Sequence, residues 1–457
     1  MNQIQRRHPE SMLKKSRWTH VFHSDEDQRY FLFHAVNMDV IEVDADALRL
    51  LDGFDQPVPV QSLPSLFKSP EERAGIKALS ELGFLVTNDL DESALFEKDS
   101  HGRHRQASTL NKVSKIASAR ILLTEECNMR CKYCFIDHSP ADAEFDTIRR
   151  ILDQVLKNSS DRGLSIQFFG GEPLLKFGLM KKAVEYIKEL PNRTTDVYFK
   201  ITTNATLVNR EIASFLAKHD FEVAVSIDGT KEINDQNRVY RQGSGTFDQT
   251  IRGFKTLKEN GCKVGFLLTP IFQNQGHIAT FFREAIQLYR PSFLAVNTPQ
   301  PSETGWNVDG VTYAKDMIEC YHLAVANNTP FTSTLTKVFV GLIRKERCVS
   351  TCFDPSGDRV ASFTVKGEVS PCIVGWQKEF LRPLEALHDP STFNTQAELR
   401  QPRECQKCPA LNVCGGPCHL EDFFYKKSGM WDHNRCDFFE EALKWAVGNM
   451  DLIRENI

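Results

Sequence analysis

The sequence contains no run of about 18 apolar residues, the length a membrane span needs. Its N-terminal segment lacks the charged-then-apolar layout of a signal peptide. No sign of charge dominates, because 56 Lys and Arg face 60 Asp and Glu for a formal charge of −4. These absences exclude a helical membrane protein and give no electrostatic reason to expect nucleic acid or anionic membrane as partner. They lead to the expectation of a cytoplasmic chain. Thiols stay reduced there, so the thirteen cysteines point to metal binding or catalysis rather than disulfides. The remaining composition, 41% hydrophobic and 25% charged over 457 residues, suits a globular chain of several domains with a large core. Within the first eighteen residues, Arg6, Arg7, Lys14, Lys15 and Arg17 stand against Glu10, which reads as a solvated flexible terminus.

Composition divides the chain into a small N-terminal unit (1–87), a polar aperiodic linker (88–117), a strand–helix region (118–330) and a cysteine-rich region (331–457). In the first unit "HVFHS" and "RYFLFHAVNMDVIEVD" read as short strands, and "ADALRLLDGF" and "SPEERAGIKALSELGFLV" as helices. Ser69–Pro70 is a cap followed by proline at the first turn, and Ile76, Leu79, Leu82 and Phe84 have roughly helical spacing. From 118 onward "ARILLTE", "LSIQFFGG", "VYFKITTN", "EVAVSIDG", "KVGFLLTP" and "FLAVNTP" alternate with amphipathic stretches. Six such units predict an α/β fold with a helix-covered parallel sheet, a partial (β/α)6 barrel; the pattern also fits an open sheet.

The stretch "TEECNMRCKYCFIDH" carries Cys127, Cys131 and Cys134 as C-x-x-x-C-x-x-C. Thiolates are soft ligands for iron–sulfur clusters, zinc or Cu(I). A closed zinc or cluster site takes four protein ligands, so three on one loop suit a [4Fe–4S] cluster with one open iron. Zinc with a distant fourth ligand is the alternative. The cluster is favoured because the triad follows a barrel strand, aromatic Tyr133 and Phe135 flank its last cysteine, and the next strand ends in "FFGGEP".

"CNMRCKYC" and "FFGGEPLL" resemble the two core motifs of the radical SAM family, and the strand–helix pattern resembles its partial barrel. The resemblance implies S-adenosylmethionine (SAM) on the open iron and one-electron cleavage to a hydrogen-abstracting 5′-deoxyadenosyl radical. It also implies that SAM meets Tyr133, Gly170, Gly171, Glu172, Asn204, Ser226 and Arg238. The two glycines would admit backbone close to the ligand, and Glu172 would accept from the methionyl ammonium. Ser226 would contact the ribose, with Asp228 the weaker candidate, and Arg238 would pair with the methionyl carboxylate.

Downstream, "CQKCPALNVCGGPC" spells C-x2-C-x5-C-x3-C and is too rich in Gly, Pro and Cys to expect a packed element. With Cys352, Gly367, Cys372 and Cys436 it resembles the SPASM extension of radical SAM enzymes that modify peptides and proteins. By that pattern Cys348, Cys352, Cys372 and Cys418 would hold one auxiliary [4Fe–4S] cluster, with Cys348 outside the core spacing. Cys405, Cys408, Cys414 and Cys436 would hold another, for three clusters in all. Zinc knuckles are the alternative. Cys262 and Cys320 read as buried thiols.

The N-terminal unit resembles the RiPP recognition element, a winged-helix-like domain that binds a precursor's leader peptide as an added strand. "VIEVD" and "ADALRLLDGF" would border the groove. The resulting expectation is a peptide maturase forming a thioether or carbon–carbon crosslink in a ribosomally made precursor. Its catalytic base is unidentified, and flavodoxin or ferredoxin would serve as electron donor. One alternative is an anaerobic sulfatase-maturase-like, formylglycine-forming enzyme. Against it, Cys372 is followed by Ile373, where that subfamily has an aspartate. The other alternative is a non-catalytic iron–sulfur or zinc scaffold.

Overall fold

A computed structural model describes residues 11–24, 28–94, 115–191, 195–345, 359–374, 379–389, 405 and 407–457. The basic arm is not free along its described part. Strand β1 (Met12–Lys15) pairs antiparallel with β5 (Val58–Pro59) and β6 (Leu85–Thr87). Leu13 and Trp18 are buried, while Lys14 pairs with Glu92 and Lys15 with Asp55. The expectation of a solvated terminus over these residues is therefore corrected. Apolar side chains anchor the segment, and its lysines lie at the rim.

Strands β2 (Thr19–Ser24), β3 (Arg29–His34) and β4 (Asp39–Val43) form an antiparallel meander with β4 at an edge. Alternation along β3 serves two cores. Phe31 and Phe33 join the main core and Leu32 a smaller one. That smaller core also contains Leu50 and Leu51 of α1 (Ala45–Asp52), and Ile76 and Leu79 of α3 (Pro70–Glu81). Between these helices lies the single-turn α2 (Leu63–Leu66). Ser69 and Glu72 form the reciprocal cap at the start of α3, satisfying two otherwise orphaned N–H groups.

The six expected barrel strands are present: β7 (Ile116–Leu122), β8 (Leu164–Phe169), β9 (Val197–Thr203), β10 (Glu222–Ser226), β11 (Lys263–Leu268) and β12 (Leu294–Val296). They pair parallel in chain order. Helices α4 (Phe145–Lys157), α5 (Phe177–Glu189), α6 (Arg210–Lys218), α7 (Lys231–Asn237), α8 (Phe247–Glu259) and α9 (Ile278–Tyr289) run between them. In α4, Ile148, Ile151, Leu152 and Val155 are buried at the spacing of one helix face.

A short hairpin, β13 (Pro301–Ser302) and β14 (Gly305–Trp306), leads to α10 (Gly310–Ala326). Beyond it, β15 (Phe331–Thr332) adds to β12 and is followed by α11 (Thr334–Arg344). At the other edge β16 (Arg359–Phe363) adds parallel to β7, and β17 (Val369–Ser370) turns back on it. The nine-stranded sheet runs β15-β12-β11-β10-β9-β8-β7-β16-β17, and among the described residues β15 does not pair with β17, so the barrel is partial.

The segment "CQKCPALNVCGGPC" does contribute to the core, contrary to expectation. Its one-turn helix α12 (Leu411–Cys414) buries Leu411 and Val413, preceded by buried Ala410. Buried Asn412 donates to the carbonyls of Ala35 and Val36 at 2.8 Å each, tying this turn to the N-terminal meander. Helices α13 (His419–Ser428), α14 (His433–Gly448) and α15 (Met450–Asn456) follow, and α14 packs on α10 and β2. Among the described residues no helix is long and apolar enough to cross a membrane.

Candidate functional site

Parallel strands carry their chemistry at their C-terminal ends, and four such ends meet here. The loop after β7 carries Cys127, Cys131 and Cys134. The GGE segment after β8 pins it, with Gly171 N–H donating to Thr124 O and Glu172 N–H to Glu126 O at 2.8 Å each. The segment after α7 pins its other side. Arg130 N–H reaches Val239 O at 2.7 Å and Lys132 N–H reaches Asn237 O at 3.1 Å. Two guanidinium groups converge on the Cys127 carbonyl. Arg241 donates through Nε (3.1 Å) and Nη2 (2.9 Å), and Arg130 through Nη1 (2.9 Å). None of these bonds uses a sulfur atom, so the protein's own backbone and side chains hold the loop.

The thiols receive donors as well. Met129 N–H points at Cys127 Sγ (3.3 Å), Arg238 Nη1 at Cys131 Sγ (3.8 Å) and Asn204 Nδ2 at Cys127 Sγ (3.9 Å). Burial, then Glu172, then the neighbouring Cys131 and Cys134 push the Cys127 thiol up to about 12. Burial pushes Cys131 to about 11, against the pull of Arg238. Buried thiols of this kind give up their protons only beside a positive group, and that is what a cationic cluster would supply to this loop. Among the described residues no three His, Cys, Asp or Glu side chains close on a single ion.

Gly170 and Gly171 make room for protein backbone. A Cβ on Gly170 would sit 2.4 Å from Thr124 O, and one on Gly171 would sit 2.1 Å from Glu126 O. Gly171→Ala is expected to cost about 1–3 kcal/mol by overpacking. An unchanged melting temperature would contradict this close fit. Glu172 is 1% exposed. Its Oε1 accepts from Leu174 N–H (3.0 Å) and Thr203 Oγ1 (2.7 Å), and its Oε2 from Asn204 N–H (2.8 Å). Burial raises its carboxyl to about 7 in spite of these bonds. Asn204 links this carboxylate to the cysteine loop through Nδ2, which donates to Asn128 Oδ1 at 2.9 Å.

Ser226 ends β10 and is half-buried. Asp228, the weaker ribose candidate, is fully buried and already engaged. Tyr133 OH lies 2.7 and 2.8 Å from its two oxygens, and Arg238 Nε donates to Oδ1 at 3.0 Å. The ribose assignment for Asp228 is corrected accordingly, because its carboxylate is spent on holding Tyr133 and Arg238. The guanidinium of Arg238 loses solvation by burial, yet Asp228, Tyr133 and Cys131 hold its pKa above the ordinary arginine range. Sequence reasoning missed this hub, the Arg130–Arg241 pair and Thr203, all joined by contacts distant in sequence.

In the C-terminal region Cys405, Cys408, Cys414 and Cys436 are brought together. Burial and then the charges of Cys414 and, more weakly, Glu440 and Cys405 raise Cys408. Cys436 rises to about 11 by burial, with Cys414 adding to it. The Trp431 indole N–H lies 3.4 Å from Cys436 Sγ. Arg435 Nη2 lies 3.3 Å from Cys414 Sγ and 2.7 Å from Gly416 O, while Nη1 pairs with buried Glu421 at 3.2 Å. Glu421 in turn accepts from Cys418 N–H at 2.6 Å, and its own N–H points at Cys418 Sγ at 3.4 Å. Crowded, buried thiols beside N–H donors suit a cationic cluster here too. Cys372 lies just after β17, whereas Cys348 and Cys352 fall outside the described residues. Cys262 and Cys320 are buried as expected.

Comparison with known proteins agrees with this geometry. The family model described as Radical SAM superfamily matches residues 121–285. A cysteine-type anaerobic sulfatase-maturating enzyme of Clostridium novyi is 30% identical over 370 residues, 73% of this chain and 96% of that enzyme. Two further relatives are an uncharacterized protein of Methanocaldococcus jannaschii (34% identical) and the radical SAM cyclopropyl synthase TigE of Paramaledivibacter caminithermalis (24%). The matches cover 36% and 53% of this chain, and only 56% and 54% of those proteins' own lengths. Among solved structures, native anSMEcpe with bound AdoMet and Cp18Cys peptide superposes with a TM-score of 0.64 at 20% identity, covering 74% of this chain and 99% of that one. Streptococcus suis SuiB bound to precursor peptide SuiA gives 0.53 at 17% identity, covering 92% and 98%. The structures share the fold. Together with the Clostridium novyi match over 73% of this chain, the motif-bearing match to 121–285 means that the chain belongs to the radical SAM superfamily.

Proposed function

We propose that this protein is a peptide maturase in which Cys127, Cys131 and Cys134 hold a [4Fe–4S] cluster and SAM binds against it. When bound, the pair supplies a one-electron cleavage that yields a hydrogen-abstracting 5′-deoxyadenosyl radical. The chain's own residues orient and shield that chemistry. Glu172, fixed by Thr203 and Asn204, would accept from the methionyl ammonium. Arg238, fixed by Asp228, would pair with the carboxylate. Ser226 and Asn204 would line the nucleoside side, and Gly170 and Gly171 seat the loop on which Glu172 stands. Tyr133 acts through Asp228. Cys405, Cys408, Cys414 and Cys436 hold a second cluster, and Cys348, Cys352, Cys372 and Cys418 a third. Flavodoxin or ferredoxin supplies the electron.

The observation that carries the peptide reading is the N-terminal unit. Its meander leaves β4 as an edge strand beside α1, and the unit is docked onto the cysteine-rich region through Asn412. The SuiB fold spans 92% of this chain, whereas the anSMEcpe fold spans 74%. A leader peptide added to β4 would pair backbone to backbone and raise the local concentration of the segment to be modified. The product is a thioether or carbon–carbon crosslink. The Clostridium novyi match favours a second reading, oxidation of a cysteine to formylglycine, which Ile373 after Cys372 opposes.

The test is anaerobic incubation with SAM, reductant and the peptide encoded beside the gene, read by mass spectrometry. Loss of two hydrogens with sulfur retained supports the crosslink. Loss of sulfur from a cysteine supports the aldehyde. An unaltered peptide contradicts both.

A further inference from the structure

The C-terminal cysteines meet two side-chain donors that no cysteine spacing reveals. The Trp431 indole N–H lies 3.4 Å from Cys436 Sγ, and Arg435 Nη2 lies 3.3 Å from Cys414 Sγ. Arg435 is 4% exposed. It is locked by two carbonyls, Cys414 O (3.2 Å) and Gly416 O (2.7 Å), and by Glu421, which also accepts from the Trp306 indole at 3.0 Å. Its guanidinium lies 4.8 Å from the centre of the Phe439 ring. Burying a charge this way is costly unless it is paired and hydrogen-bonded. Here the contacts aim one nitrogen of the cation at a thiol sulfur. Through Glu421, which accepts from Cys418 N–H, the same ion pair spans from Cys414 to Cys418. By the SPASM pattern these two cysteines belong to different clusters.

We infer that Trp431 and Arg435 are redox-positioning residues that raise the reduction potential of the cluster held by Cys405, Cys408, Cys414 and Cys436, fitting it to take up the electron left when a substrate radical closes a bond. An N–H aimed at a thiolate withdraws charge from the sulfur and favours the state with one more electron; a buried cation beside the sulfur acts in the same direction. Neither residue contacts substrate. Both act through the cysteine ligands. The inference rests on the reading that these four cysteines hold a cluster.

The experiment uses the full chain carrying Cys127→Ala, Cys131→Ala and Cys134→Ala, reconstituted with iron and sulfide, so that only C-terminal clusters report. Iron is counted, and the clusters are titrated with dithionite under electron paramagnetic resonance. Trp431→Phe keeps the ring that meets Tyr425 edge-on at 5.4 Å and removes only the N–H. It is expected to keep its iron and to favour the oxidised form about tenfold more at fixed potential, a downward shift of about 59 mV for a one-electron couple. Arg435→Lys, which leaves Trp431 in place, should shift in the same direction, and it carries the test if Trp431→Phe loses iron. An unmoved potential with iron retained overturns the inference and leaves the cysteine reading standing. Loss of the cluster from both variants also overturns it, by making the donors structural requirements. No iron in the background protein overturns the cysteine reading itself.

Discussion

Replacing Cys127, Cys131 and Cys134 together by alanine is expected to abolish 5′-deoxyadenosine release and to remove about four irons per chain. The loss should be complete because the triple change removes every thiol of the 124–138 segment. The fold should survive. The loop is held by backbone bonds from Arg130 and Lys132 to the 237–239 segment, and by Arg241 on the Cys127 carbonyl, none of which uses sulfur. Iron held by the C-terminal cysteines should remain, since Cys436 stands on α14, Cys414 meets Arg435 of that helix, and the charges felt by Cys408 come from Cys405, Cys414 and Glu440 rather than from this loop. Iron analysis, circular dichroism and chromatography of the nucleoside check the three statements. Retained release would remove the cysteine loop from the chemistry.

Asp228→Asn should have the next largest effect. Asp228 is fully buried and serves as the partner of Arg238, whose side chain is 10% exposed. Neutralising one member of a buried pair leaves the other charge uncompensated, at a cost of about 3–5 kcal/mol. The damage should be local as well as global. Arg238 stands beside Cys131 Sγ, and Tyr133, between Cys131 and Cys134, hangs on the same carboxylate. The variant should therefore unfold at lower temperature and surrender the iron of the Cys127–Cys134 loop to a chelator while its C-terminal iron stays. Parental thermal stability with parental iron retention would show that Asp228 is not the hub described here.

The barrel was legible because its strands are short apolar runs separated by amphipathic helices, such as the face of Ile148, Ile151, Leu152 and Val155. The cysteine loop was legible because soft ligands at fixed short spacing allow few uses. Where the sequence misled, a long-range contact overrode the local pattern. The run from Arg29 to Asp44 contains no Gly or Pro, yet it turns between β3 and β4, with buried Met38 in the left-handed region at φ 57°. Lys14 and Lys15 suggested a solvated arm, but Leu13 and Trp18 beside them fill cores. Tyr133 and Asp228 stand 95 residues apart, so neither local periodicity nor spacing could pair them. The glycines of GGEP were expected to admit a ligand. The structure shows them clearing two carbonyls of the cysteine loop, which only the folded chain brings close.

The proposed chemistry depends on one property of the cysteine loop, that it presents an iron to which SAM can bind. The direct measurement is electron paramagnetic resonance of the reconstituted, reduced protein before and after addition of SAM. The predicted result is a changed cluster signal accompanied by release of 5′-deoxyadenosine. A signal indifferent to SAM, with no nucleoside formed, would contradict it.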